Sequence, residues 1–129
     1  MVQIMLRGKR FLILEDEPLI ALDIATEIEM LGGNVVADLR SVAAAEDVLE
    51  KVAFDAAVLD YRLTDGTSRE IGQKLHSRGK PFVFCTGGMS GEAAEGALAD
   101  VTVWQKPCDW SVLLRRFAQE MNTPNQVAI

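Results

Sequence analysis

The chain has few of the residues that usually disclose a function. Its two cysteines, Cys85 and Cys108, make neither a disulfide framework nor a metal-binding spacing, so both read as reduced, with a packing role. The one histidine, His76, falls late in a polar helical stretch, a solvent-exposed place rather than that of a phosphoryl carrier. Basic residues are outnumbered, 13 against 19 acidic, giving a net charge of −6 and a pI of 4.7. Nucleic acid is bound through basic patches, so it is not an expected partner. Arg7, Lys9 and Arg10 form the densest basic group and read as a solvated N-terminal arm. No apolar run is long enough for a membrane span, and MVQIMLRGKR puts its charges after a short apolar stretch, unlike a signal peptide. The expected location is therefore cytoplasmic, without membrane insertion. No linker, repeat or low-complexity stretch divides the 129 residues, which suit one domain. Residues 1–129 are expected to form it, with a core over about 8–120 and a frayed tail at 122–129.

What the chain does contain is an alternation of short apolar runs with amphipathic helical ones. "FLIL", residues 11–14, does not alternate with polar residues and so predicts a strand buried on both faces. Further strands are expected at 35–37, 56–59, 82–85 and 101–105. Pro18 opens a helix in which Ile20, Ile24, Ile28 and Leu31 recur at helical spacing, and Gly32-Gly33 ends it. Ser41 is placed to cap a second helix that carries Val42, Ala45, Leu49 and Val52 on one face. Thr67-Ser-Arg-Glu70 has the form of a capping box for a third, through Ile71 and Leu75 to Gly79. A weak, alanine-rich helix is expected over 92–98. The last, capped by Asp109, bears Trp110, Leu113, Leu114, Phe117 and Met121. Five strands joined by helices and short loops imply parallel pairing, right-handed crossovers and a three-layer α/β sandwich.

In an open parallel sheet, ligands bind outside the carboxyl ends of the strands. Those ends carry Glu15 and Asp16, then Asp60, Thr86 and Lys106. Clustered carboxylates at a strand mouth repel, by about 4 kcal/mol for a pair ~4 Å apart at an effective dielectric near 20. A divalent cation relieves that, and hard oxygen ligands select Mg²⁺. Glu17, before Pro18, reads as an ordinary helix-entry residue.

Through "ILEDEP", "AAVLDYRLTDG", "PFVFCTGG" and "WQKP", in that order, the sequence resembles the receiver domains of two-component response regulators. The resemblance implies a flavodoxin-like fold with strand order 2-1-3-4-5 and a stand-alone receiver that is not an enzyme beyond assisting its own phosphorylation and dephosphorylation. It implies that Asp60 accepts the phosphoryl group and that Glu15 and Asp16 hold Mg²⁺ (or Mn²⁺) together with Asp60 and the backbone carbonyl of Arg62. Thr86 resembles the switch hydroxyl and Lys106 the lysine that holds a phosphoryl oxygen. The implied partners are a histidine kinase or histidine phosphotransfer protein and a downstream protein target; a phosphate sink is the other output. The Lys106–Pro107 peptide is expected to be cis.

Three departures from the family stand out. Glu15 replaces the commoner aspartate, Arg62 follows the acceptor by two, and Val103 stands where an aromatic is usual. The fourth strand is similar to a subfamily with a Phe-Ala-Thr-Gly motif. Because Val103 is short and stiff at χ1, residues 86–98 are expected to report the phosphorylated state instead, with Trp104 as a fluorescent witness. Two other classes share some of these features. A haloacid-dehalogenase-type phosphatase also uses a strand-end aspartate, but Asp60-Tyr61-Arg62 lacks that family's second acid and the chain lacks a cap domain. A receiver-like binding module that is never phosphorylated would not need the complete set.

Overall fold

A computed structural model describes residues 5–87, 96–98 and 101–122. Five strands, β1 (Arg10–Leu14), β2 (Asn34–Leu39), β3 (Ala56–Asp60), β6 (Phe82–Thr86) and β7 (Val103–Gln105), form one sheet. Its order is β2-β1-β3-β6-β7 and every pairing is parallel. In terms of the five main strands this is the expected 2-1-3-4-5. Between β3 and β6 lies a two-residue hairpin, β4 (Arg62–Leu63) with β5 (Gly66–Thr67). The helices are α1 (Pro18–Met30), α2 (Val42–Leu49), α3 (Arg69–Ser77) and α4 (Trp110–Asn122).

The sheet is covered on both faces, and β1 shows why its sequence has no polar alternation. Phe11 and Ile13 join Val58, Val83 and Cys85 in a core sealed by Ala21, Ile24 and Ile28 of α1 and Leu113, Leu114 and Phe117 of α4. Leu12 and Leu14 face the other way, into a core with Leu59, Phe84, Ala45 of α2, and Ile71 and Leu75 of α3. Burying each such aliphatic side chain contributes about 1.5–3 kcal/mol, so both faces of this strand drive folding. α3 lies close on the sheet at Gly72, where an added Cβ would come 2.5 Å from Phe84 Cζ.

The ends of the helices follow their sequences in most places. Ser41 Oγ accepts the Ala44 N–H (3.1 Å), and Asp109 Oδ1 accepts those of Ser111 and Val112 (3.0 and 3.3 Å). Leu31 is followed by Gly32 at φ 92°, a left-handed turn that costs glycine no steric penalty. The Lys106–Pro107 peptide is cis, as expected.

Elsewhere the structure corrects the sequence reading. The basic N-terminal group is solvated, with Arg7 and Arg10 exposed, but it is tied to the fold rather than a free arm. Leu6 is fully buried with its N–H on Leu31 O, and Arg10 opens β1 with its guanidinium on Asp55. The capping box does not form: Thr67 belongs to β5, and Ser68 is the N-cap without a side-chain capping bond. α2 ends at Leu49, before Val52. Of the helix expected over 92–98, residues 92–95 lie outside the described residues and Gly96–Leu98 is a single 3-10 turn. Asn122, placed in the tail, closes α4 and donates to Met5 O (2.8 Å); residues 123–129 lie outside the described residues. Among the described residues, no helix is long and apolar enough to cross a membrane.

Candidate functional site

The residues singled out at the strand ends converge. Glu15 and Asp16 follow β1, Asp60 ends β3, Thr86 ends β6, and Lys106 follows β7. One carboxylate oxygen from each of Glu15, Asp16 and Asp60 lies within 4.8 Å of the others. Lys106 Nζ reaches into the same cluster, 2.8 Å from Glu15 Oε1 and 3.2 Å from Asp60 Oδ2. Asp16, Glu17, Asp60, Arg62, Gly87 and Lys106 line a cleft of about 250 Å³ above these groups. Glu15 and Thr86 are buried, at 1% and 0% exposure.

Backbone bonds between neighbouring strand ends fix this geometry. Tyr61 N–H donates to Cys85 O (2.7 Å), and Lys106 N–H donates to Thr86 O (2.8 Å). Glu15 N–H donates to Leu39 O (2.9 Å), while Glu15 Oε2 accepts the Glu17 N–H (3.1 Å). Glu15 thus has one oxygen on the backbone and the other on Lys106.

The electrostatics follow from burial. Desolvation, and then the charge of Glu15, push the Asp60 carboxyl up to about 7 against the opposing pull of Lys106. For Lys106 burial favours the neutral amine, but Glu15 and Asp60 outweigh it and hold the ammonium above its ordinary value. Three hard oxygen donors this close fit a small divalent cation, and the raised Asp60 marks how poorly the cluster tolerates its own charge without one.

Several contributors were not read from the sequence. Ser68, fully buried, donates its hydroxyl to Asp60 O (2.8 Å), and its N–H donates to Tyr61 O (2.9 Å). Asp65, in the β4–β5 turn, accepts the N–H groups of Val42 (2.9 Å) and Ala43 (3.0 Å) at the start of α2. The Asp65-Gly66 pair, a hairpin signal, was the available clue, with Gly66 at φ 140°. Arg62 is exposed at the cleft, its guanidinium 6.0 Å from the centre of the buried Tyr61 ring. Trp104 and Val103 are adjacent but serve opposite cores, Trp104 packing beside α4 with Arg116 5.7 Å above its ring. Of the segment expected to report the phosphorylated state, residues 88–95 lie outside the described residues.

No protein-family model matches the chain, nor does any curated protein. Solved structures do. SdrG from Sphingomonas melonis Fr1 is 35% identical over 88% of this chain and 96% of its own, with a TM-score of 0.70. A structure of SdrG in its BeF3-activated conformation, from Pseudomonas melonis Fr1, matches at 34% over 94% and 99%, with a TM-score of 0.68. The response regulator PhyR from Brucella abortus is 30% identical (TM-score 0.75); the match covers 97% of this chain and 54% of PhyR, so this chain spans about half of that protein. A response regulator receiver protein from Sinorhizobium medicae, at 23% identity, shares the fold with a TM-score of 0.79. With the parallel sheet in the order 2-1-3-4-5, these similarities identify the chain as a member of the response regulator receiver family.

Proposed function

We propose that this receiver takes a phosphoryl group from the phosphohistidine of a histidine kinase or phosphotransfer protein onto Asp60. The observation that carries the reading is Asp60 at the end of the central strand, inside a ring of Glu15, Asp16 and Lys106. An Asp60 oxygen attacks phosphorus, the P–N bond to the donor imidazole breaks, and an acyl phosphate results. Phosphoryl transfer of this kind depends mainly on positioning and charge neutralisation. Lys106, a compact point charge, favours the ionised, nucleophilic carboxylate and holds a phosphoryl oxygen. The Thr86 hydroxyl and backbone N–H groups beyond Asp60 and Thr86 donate to the others. Asp16, Asp60, the carbonyl of Arg62 and, less directly, Glu15 would hold Mg²⁺, which neutralises charge shared between the acceptor and the incoming group. The added charge of about −1.5 to −2 is the input, and contact with a target protein or drainage of a shared kinase is the output. The domain is not a turnover enzyme.

Incubation with acetyl phosphate should give a base-labile label that needs Mg²⁺ and is lost in Asp60→Asn. Labelling that survives the substitution or excess chelator rejects the assignment. Sustained hydrolysis of a phosphomonoester would instead favour the aspartyl-phosphatase reading.

A further inference from the structure

The Asp60 carboxylate and the Arg62 carbonyl belong to residues two apart in the chain, so a pair of peptide units lies between them. Ser68 grips both units. Its hydroxyl donates to Asp60 O (2.8 Å), the carbonyl of the first, and its N–H donates to Tyr61 O (2.9 Å), the carbonyl of the second. The first unit is held at its other end too, where Tyr61 N–H donates to Cys85 O (2.7 Å). Ser68 is itself fixed: it is fully buried, and its carbonyl accepts the Gly72 N–H (2.9 Å) in the first turn of α3. The Tyr61 ring, from the residue between the two units, is buried edge-on to Phe84 with 5.3 Å between ring centres. Neither peptide plane can turn without losing one of these bonds.

We propose that Ser68 is a positioning residue that sets the separation of the Asp60 and Arg62 oxygens and so makes the acidic cluster selective for Mg²⁺ over Ca²⁺. The inference rests on the reading of this cluster as a cation site; it adds the residue that decides which cation. Mg²⁺ demands near-ideal octahedral geometry with oxygens at about 2.0–2.1 Å, whereas Ca²⁺ accepts about six to eight oxygens at about 2.3–2.6 Å in flexible arrangements. Selection between the two ions therefore turns on how far the donors can spread. Without the serine hydroxyl, the Asp60 carbonyl loses the bond that sets the tilt of its peptide plane. The carboxylate and the Arg62 carbonyl then gain a latitude that Ca²⁺ can use and Mg²⁺ cannot. The Ser68 N–H bond to Tyr61 O is unaffected by a change of side chain, so the hydroxyl can be tested by itself.

The test is calorimetric titration of the full chain with magnesium chloride and, separately, calcium chloride, which gives two dissociation constants and their ratio. Groups that orient metal ligands typically change affinity by about 10–100-fold, so Ser68→Ala should weaken Mg²⁺ about tenfold and Ca²⁺ by less than about threefold. Ser68→Cys keeps the size of the side chain but offers only a weak S–H donor. It should shift the ratio in the same direction, which separates the lost hydrogen bond from a cavity and provides a second variant where the first folds poorly by circular dichroism. An unchanged ratio in a folded variant, whether both affinities hold or both fall alike, overturns the proposal and leaves the cation site standing. Wild-type protein that binds Mg²⁺ no better than Asp60→Asn does overturns the cation reading itself, and this inference with it.

Discussion

Lys106 is held more closely by Glu15 than by Asp60, at 2.8 against 3.2 Å. Its ammonium is the counter-charge for a carboxylate that is almost wholly buried. Removing one partner of such a pair is far costlier than the pair is worth, because the other charge stays behind. Lys106→Met should therefore destabilise the protein by about 3 kcal/mol, read as a lower urea midpoint at unchanged slope. Adding Glu15→Gln should recover part of that loss. A midpoint unaffected by Lys106→Met would show that the ion pair is not a structural element.

The raised Asp60 carboxyl sets a pH dependence. Its folded value of about 7 lies above the ordinary 3.8, so between the two the folded chain keeps a proton that the unfolded chain has lost. Stability from this group is greatest below pH 4 and declines as pH rises through 7. A cation that binds the ionised cluster opposes the decline. Millimolar Mg²⁺ should raise Tm at pH 8 and do little at pH 5, and Asp60→Asn should flatten both responses. Equal Mg²⁺ stabilisation at the two pH values would contradict this.

Gly72 allows α3 to lie on the sheet. Its added Cβ would meet Phe84 at 2.5 and 3.2 Å and Phe82 at 3.3 Å. The Phe84 ring cannot easily yield, since it stands edge-on to both Tyr61 and Phe82. Gly72→Ala should cost about 1–3 kcal/mol despite alanine's better helix propensity. Denaturation of Gly72→Ala beside Gly72→Ala/Phe84→Leu measures it: the double variant should be the more stable if overpacking is the cause.

Ser68 separates two readings of the same residues. As a capping box, Ser68 would be flanked by Thr67 and Glu70 in reciprocal bonds to the start of α3. In the structure its hydroxyl instead serves the Asp60 carbonyl. Ser68→Ala should therefore cost about 1–2 kcal/mol through an unsatisfied buried carbonyl, whereas Thr67→Val and Glu70→Ala should change urea midpoints little. A large loss in Glu70→Ala would restore the capping box.

The contrast shows what the sequence could disclose. The sheet was legible because buried parallel strands are written as unbroken apolar runs, as in "FLIL". The acids and lysine were legible because they close those runs, so locating the strands located the residues. Bonds that depend on three-dimensional return were not. Nothing local announces that Ser68 turns back eight residues to Asp60, or that Leu6 docks on Leu31. Glu15 was placed correctly, but its bond to Lys106 was not legible, since that depends on the pairing of distant strands.

The connection after Asp60 is pinned at two points. Ser68 holds the acceptor's own carbonyl, and Asp65 fastens the hairpin turn to the first N–H groups of α2. This flank of the carboxyl edge is consequently a stator: a change at Asp60 finds no slack there. Across the cleft the facing strand ends are joined differently, by the Lys106 N–H on Thr86 O. The two flanks of the acidic cluster are thus held unequally, one by side chains from two other elements and one by the backbone bond between adjacent strand ends.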